Sequence, residues 1–344
     1  MGAVTEAVRT AGLVKTFGDV RAVDGIDLSV AAGQVYGVLG PNGAGKTTLI
    51  RMLATLWRPD AGTAEVFGHD VVREAATVRS LVSVTGQSTS IDDDLSGLEN
   101  LIMVSRLWGY TPADARRRAM QLLTAFDVVD EKDRQVKTYS GGQKRRVDIA
   151  ASLVVTPKLL FLDEPTTGLD PLSRQQVWHI VRVLVEEGTT IVLTTQHLDE
   201  ADQLADRVAV IDHGVVVAEG TPAELKSRTG TSALQVRLAD PTQVDAAREV
   251  LARAVQAPVR IDGDPSHLTA QVFDPERATR ALSDLTASGI GVVDFSLGRP
   301  SLNEAFLALT GRPPSTSDSD AEPSPNGAGV TAGASRGGSD GAPA

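Results

Sequence analysis

The sequence predicts an α/β fold built on a buried parallel sheet, and three stretches predict it. Gln34-Val-Tyr-Gly-Val-Leu39 is an apolar, β-prone run that passes into Gly40-Pro-Asn-Gly-Ala-Gly-Lys-Thr47, then into Leu49–Leu56 with apolar residues at helical spacing. Leu159-Leu-Phe-Leu162 is a second apolar strand, ending on Asp163 and Glu164, and Thr189–Thr195 is a third, ending on Gln196 and His197. Such uninterrupted apolar strands are buried on both faces, as in sheets covered by helices. The first stretch fits the phosphate-loop pattern G-x-x-x-x-G-K-[ST] at every fixed position. Glycines in that strand–loop–helix setting let backbone N–H groups close around phosphate oxygens, and the helix N-terminus adds its dipole. Gly40, Pro41, Asn42, Gly43, Ala44, Gly45, Lys46, Thr47 and Thr48 therefore form the predicted nucleoside-triphosphate-binding loop. Lys46 reaches the β and γ phosphates, and Thr47 offers its hydroxyl to Mg2+. The core reads as a P-loop NTPase.

Composition narrows the class. With 344 residues, 42% of them hydrophobic, the chain can bury one large core or two domains. Lys and Arg number 33 against 44 Asp and Glu, a net charge of -11, so no nucleic-acid partner is expected. The absence of cysteine excludes a disulfide frame and thiolate chemistry and fits a cytosolic setting. No apolar run approaches the roughly 18 residues of a membrane helix, and the opening MGAVTEAVRT lacks an apolar signal-peptide region. Any membrane role is expected to come through a partner.

In chain order, Thr10 to Val38 reads as short strands joined by turns at Gly18-Asp19, Gly25 and Gly33. Phe17, near the first turn, either stacks on a purine or fills a small β core. Glu65–Phe67 and Leu81–Val84 read as strands, and Gln87 follows the second. Leu98, Leu101, Ile102 and then Ala119, Leu122, Leu123 mark helices, with Arg116–Arg118 on a solvated face and Asp92–Asp94 in a solvated loop. Tyr139-Ser-Gly-Gly-Gln143 opens another helix, with Ser140 as N-cap and glycine N–H groups exposed, which makes a second anion site. One nucleotide has little use for it locally. It suits the γ phosphate held by another copy of the chain.

Asp163 ends its strand where a phosphate-loop site holds Mg2+ through water, and Glu164 beside it can take a proton from an attacking water. Pro165–Asp170 is a turn feeding the helix from Pro171. His197 ends a core strand, at the edge where open α/β sheets bind ligands, which makes it the one histidine of five predicted to contact the γ phosphate. Asp206–Ala218 reads as two strands across a turn. Beyond it the order β-α-β-β-α-β, from Leu234 to Leu297, predicts a small ferredoxin-like α+β appendage, followed by a helix over Leu302–Leu309. From Pro313 the Pro/Ser/Gly/Ala/Asp composition cannot bury a core and predicts disorder.

Taken together these motifs resemble the ATP-binding subunit of an ABC transporter. Gly40–Thr47, Gln87, Ser140–Gln143, Asp163-Glu164, Gly168–Asp170 and His197 occur in that family's order, over roughly residues 5 to 225. The resemblance implies an antiparallel β subdomain and a helical subdomain (about 90–155) within an ATP-binding domain at 1–230. It leaves the α+β domain at 231–311 and the tail at 312–344. It also implies roles. Phe17 stacks on adenine, and Lys46 with the loop amides holds the phosphates. Thr47, Gln87 and Asp163 serve Mg2+, Glu164 polarises water, and His197 contacts the γ phosphate. Ser140, Gly141, Gly142 and Gln143 are the signature, which acts on the ATP of a head-to-tail second copy, and Asp170 belongs to the D-loop. Tyr139 stands where the family signature usually begins with Leu. Gly298–Gly311 and the TYSGG spelling resemble the daunorubicin/doxorubicin-resistance type of drug exporter, implying a separate integral-membrane permease and a peripheral position on the cytoplasmic side of the membrane. A soluble ABC ATPase of DNA repair or translation, or the motor of a sodium, lipid or import transporter, is the alternative.

Overall fold

The computed structural model describes residues 5–86, 90–227, 232–261, 264, 266–272, 275–298, 302, 305 and 306. Gln87, the 230/231 boundary and the 312–344 tail lie outside them. Two long strands, β1 (Glu6–Phe17) and β2 (Val20–Ala31), come first, and then β3 (Val35–Leu39) runs straight into the phosphate loop and α1 (Lys46–Leu53). The first two are single strands of twelve residues where short pieces were predicted. Gly25 lies inside β2 with φ +75°. A glycine with positive φ inside a paired strand makes a bulge and leaves the strand whole, which is why turn signals misread it.

Next come β4 (Ala61–Val66), β5 (His69–Asp70), α2 (Ala75–Leu81) and β6 (Val82–Thr85). The order β2-β1-β4-β5 gives an antiparallel sheet. A helical region follows, α3 (Gly97–Leu107), α4 (Pro112–Ala125) and α5 (Gly141–Ser152). Ser96 and Ser140 cap α3 and α5 in full capping boxes, with Glu99 and Gln143 as the reciprocal partners. Arg118 departs from the solvated face expected of Arg116–Arg118: its guanidinium donates to the carbonyls of Leu153 (2.7 Å) and Val154 (3.0 Å), caught by the unpaired end of α5.

The chain then alternates through β7 (Leu159–Asp163), α6 (Pro171–Glu186), β8 (Thr190–Thr195), α7 (Leu198–Leu204), β9 (Arg207–Asp212), β10 (Val215–Gly220) and α8 (Pro222–Ser227). These build a six-stranded sheet of order β10-β9-β3-β8-β7-β6, parallel except for β10. Its faces explain the uninterrupted apolar strands. Leu160 and Leu162 of β7 face the core shared with the helical region, while Leu159 and Phe161 face the core shared with α1 and the antiparallel sheet. Parallel register leaves the carboxyl ends of β3, β7 and β8 side by side: Leu39 pairs with Thr195 and Asp163 with Thr194. That edge carries the site.

The last part contains β11 (Ser232–Leu238), α9 (Val244–Val255), β12 (Val259–Ile261), β13 (His267–Val272), α10 (Pro275–Ala287) and β14 (Val292–Gly298). Its antiparallel sheet has the order β12-β13-β11-β14, the ferredoxin-like arrangement, with its own core including Leu234, Leu251 and Leu285. The chain then returns, and Leu302, Ala305 and Phe306 pack into the core of the first part. Leu251, fully buried there, sets a test: Leu251→Ala is expected to lower stability to urea by about 2–5 kcal/mol, the range for deleting a buried Leu side chain. An unchanged urea midpoint would show that this core carries no cooperative stability.

Candidate ATP site

Two glycines shape the phosphate loop. A Cβ on Gly40 would strike the carbonyl of Ile211, and one on Gly45, whose φ is +105°, would strike that of Ala22. The loop is thus wedged between β2 and the end of β9, where only glycine fits. Lys46, the first residue of α1, is 4% exposed. Its ammonium donates to the carbonyls of Gly40 (2.8 Å) and Pro41 (3.0 Å) and stands 3.4 Å from Glu164 Oε1. Burial pulls the Lys46 pKa down, and the charge of Glu164 opposes that shift.

Across the loop, Asp163 Oδ1 accepts from the hydroxyls of Thr47 (3.1 Å) and Thr194 (2.5 Å). A hydroxyl and a carboxylate from adjacent elements are hard oxygen donors of the kind Mg2+ takes beside phosphate oxygens and water. The charge balance agrees, because Asp163 and Glu164 are both buried, Lys46 pairs with Glu164, and the charge of Asp163 also acts on Lys46. Glu164 has φ +47°, the left-handed region that a long side chain rarely adopts. Its N–H donates to the carbonyl and hydroxyl of Thr194, both at 3.1 Å, and its Oε2 accepts from Thr167 at 3.2 Å.

A cleft of about 780 Å³ joins Asn42, Gly43, Thr47 and Glu164 to Gly141 and Lys144 at the start of α5. Ser140 and Gly141 are exposed there, and α5 offers its free N–H groups. Gly142 is buried against α6, where a Cβ would strike Ser173. Gln143 closes the capping box with Ser140 and donates to Glu131 at 2.9 Å, so its side chain is occupied within the helical region. Asp170 caps α6, accepting from the Ser173 N–H at 3.0 Å and its hydroxyl at 2.6 Å.

Phe17 does not fill a β core. It is 43% exposed and meets Trp57 edge-on at 5.0 Å, and Trp57 in turn carries the Arg51 guanidinium 4.7 Å above its ring. Because Arg51 lines the cleft, this stack leads from Phe17 to the phosphate loop. Half-buried His197 holds its backbone N–H on Thr195 Oγ1 at 2.9 Å and precedes α7, while its neighbour Gln196 lines the cleft. The structure therefore brings Asn42, Gly43, Thr47, Gly141 and Glu164 to one cleft, with Lys46 and Asp163 directly behind it. Trp57, Arg51, Thr194 and Arg145 escaped the sequence reading. The signal for Arg145 was present: it and Asp148 are charged residues one turn apart in a helix that is otherwise buried from Val147 onward.

An α/β sheet with a wedged phosphate loop, an acidic strand end beside it and a capped Ser-Gly-Gly helix facing it defines the class of ATP-binding cassettes. The chain belongs to the ABC transporter family of ATP-binding proteins. Residues 23–167 match the ABC transporter family, and residues 220–310 match the C-terminal domain of DrrA1-3-like ATP-binding proteins. The chain is 60% identical over 309 residues to the daunorubicin/doxorubicin resistance ATP-binding protein DrrA of Streptomyces peucetius, covering 90% of this chain and 94% of that one. It is 40% identical over 300 residues to the Nod factor export ATP-binding protein I of Burkholderia orbicola, covering 87% and 95%. The crystal structure of the ADP conformation of MJ1267, an ATP-binding cassette of an ABC transporter, superposes with a TM-score of 0.58 at 28% identity, covering 64% of this chain and 92% of that one. The chain is accordingly an ATP-hydrolysing ABC subunit.

Beneath the site, Glu200 of α7 is completely buried, and its Oε1 accepts from Thr166 (3.0 Å) and Trp178 (3.3 Å). Burial raises its pKa, against hydrogen bonds from Thr195, Thr166 and Trp178. A raised folded-state pKa means the native state holds the proton over a wider range. The stability tied to this group is thus complete below the ordinary carboxylate pKa and is lost as pH rises through the folded value. Glu200→Gln removes that dependence, so the wild-type melting temperature should fall relative to the variant as pH rises above the ordinary carboxylate pKa. A constant difference between the two would contradict it.

Proposed function

We propose that this chain is the motor of an exporter: two copies close head to tail around two ATP and drive a separate membrane permease that exports a drug-like or lipid-like compound. The observation that carries this reading is the cleft itself. One wall carries Asn42, Gly43 and Thr47 of the phosphate loop with Glu164, and the other begins at Gly141, exposed with Ser140 at the N-terminus of α5. Both walls belong to one chain, and a nucleotide held by this phosphate loop has little use for a second anion site, so the exposed Ser140–Gly141 helix start suits the ATP of another copy. Similarity along nearly the whole chain to a drug-resistance ATP-binding protein and to a Nod factor export ATP-binding protein, with the appendage matching the DrrA1-3-like C-terminal domain, favours export over a soluble ATPase of DNA repair or translation.

In this reading Lys46 gives up the carbonyls of Gly40 and Pro41 for β- and γ-phosphate oxygens, aided by backbone N–H groups of the loop after Pro41. That exchange also releases Glu164 from its 3.4 Å ion pair, leaving the carboxylate free to take a proton from the attacking water. Thr47 and Asp163, with Gln87, hold Mg2+, which when bound neutralises charge on the phosphate oxygens. His197 contacts the γ phosphate from the end of β8, and Phe17 stacks on the adenine. Ser140, Gly141 and Gly142 reach the γ phosphate from the second copy, with Gln143 bracing their helix and Asp170 setting the turn beside it. Removing the shared γ phosphate deletes the charge that bridges the two copies, so they separate.

Among the described residues no helix is long and apolar enough to cross a membrane. In this reading the motor acts from the cytoplasmic face through its permease. Tagged protein drawn from gently solubilised membranes of its source is expected to bring a stoichiometric multi-span partner. Recovery only with ribosomes or DNA in the soluble fraction would overturn the transport reading.

A further inference from the structure

Arg145 and Asp148 form a buried ion pair, 3.2 Å apart, one turn along α5 from the Ser-Gly-Gly start. The guanidinium does much more than meet its carboxylate. Its Nε donates to the Pro165 carbonyl at 3.0 Å, one Nη to the Asp163 carbonyl at 3.3 Å, and the other to the Gly86 carbonyl at 2.7 Å. Asp148 Oδ1 accepts the Ser90 N–H at 2.7 Å. The carbonyls of Asp163 and Pro165 flank Glu164, the residue held at φ +47°. Gly86 and Ser90 flank residues 87–89.

We infer that Arg145 and Asp148 are positioning residues for hydrolysis, a clamp that holds the backbone on both sides of Glu164 and ties it to the flanks of residues 87–89. The physical reason lies in the backbone of Glu164. A left-handed conformation is unfavourable for a residue with a long side chain and persists only where its surroundings over-determine it. Thr194 fixes the Glu164 N–H. Arg145 fixes the carbonyl before Glu164 and the carbonyl after it, and no other side chain among the described residues does so. Because the same guanidinium also holds Gly86, a displacement of α5 is felt at Glu164 and at the flanks of 87–89 together. The clamp acts through Glu164 and rests on the hydrolytic role proposed for that residue.

The test must separate positioning from folding. Removing one partner leaves a buried charge alone, whereas replacing both members of a buried pair by apolar residues of similar volume is often neutral for stability. Arg145→Met combined with Asp148→Leu is therefore the informative variant. Arg118→Met is the control, since Arg118 also holds two carbonyls, those of Leu153 and Val154, in a purely structural setting. Glu164→Gln is run beside them. Steady-state ATP turnover and binding of a fluorescent ATP analogue are measured on each full-length chain, along with the melting temperature.

The expected result is a fall in kcat of tenfold or more for the double variant with analogue affinity within about threefold of wild type, a kcat-against-binding split that a structural role does not produce. Arg118→Met is expected to lose melting temperature and keep kcat within twofold. A double variant with kcat within twofold of wild type would overturn the clamp, as would affinity falling in step with kcat. If Glu164→Gln stalls in either case, the failure belongs to the clamp alone. If Glu164→Gln turns over normally, the role of Glu164 falls and the clamp falls with it.

Discussion

One buried carboxylate organises the carboxyl edge of the parallel sheet. Asp163 Oδ1 takes the Thr47 hydroxyl from α1 and the Thr194 hydroxyl from β8, so three elements distant in sequence meet at a single oxygen. The burial is costly unless every partner is in place. Parallel register supplies the partners, since Asp163 and Thr194 are paired residues on neighbouring strands and the phosphate loop leaves the adjacent strand, β3. Glu164, Lys46 and Thr167 are then packed around that point by short-range contacts. The site is thus a consequence of the sheet's carboxyl edge, where backbone strain at Glu164 and close packing at Gly40 and Gly45 are tolerated because the strands behind them are rigid.

A second level of organisation joins that edge to the helical region. Arg145 and Asp148 reach from α5 to the end of β7 and to the residues around 87–89, and Asp93 meets Lys144 at 2.9 Å on the outside of the same helix. The glycine start of α5 faces the cleft while its buried middle holds the backbone on both sides of Glu164. One helix thereby joins the second anion site to the end of β7.

Much of this was legible in the sequence because it depends on local pattern. The phosphate loop declares itself by glycine and lysine spacing between a strand and a helix, and the β7 and β8 strands by unbroken apolar runs. Ser140 declares itself as a cap by standing at the head of a helical run, and the appendage by alternation and order. What stayed hidden depends on three-dimensional approach. Gly25 carried a turn signal yet bulges within a strand, and Phe17 looked equally suited to a core until Trp57 was found against its exposed ring. Arg118 resembled its solvated neighbours until the end of α5 met it. The positive φ of Glu164 has no sequence signature at all.

The head-to-tail ATP sandwich is the central claim, and Glu164→Gln tests it most directly because a chain that binds ATP and cannot hydrolyse it should stay closed. Light scattering of that variant with saturating ATP and Mg2+ is predicted to give twice the mass of the 36.1 kDa chain, returning to a single chain when ATP is withdrawn. A variant that binds ATP and remains a single chain throughout would contradict the shared site.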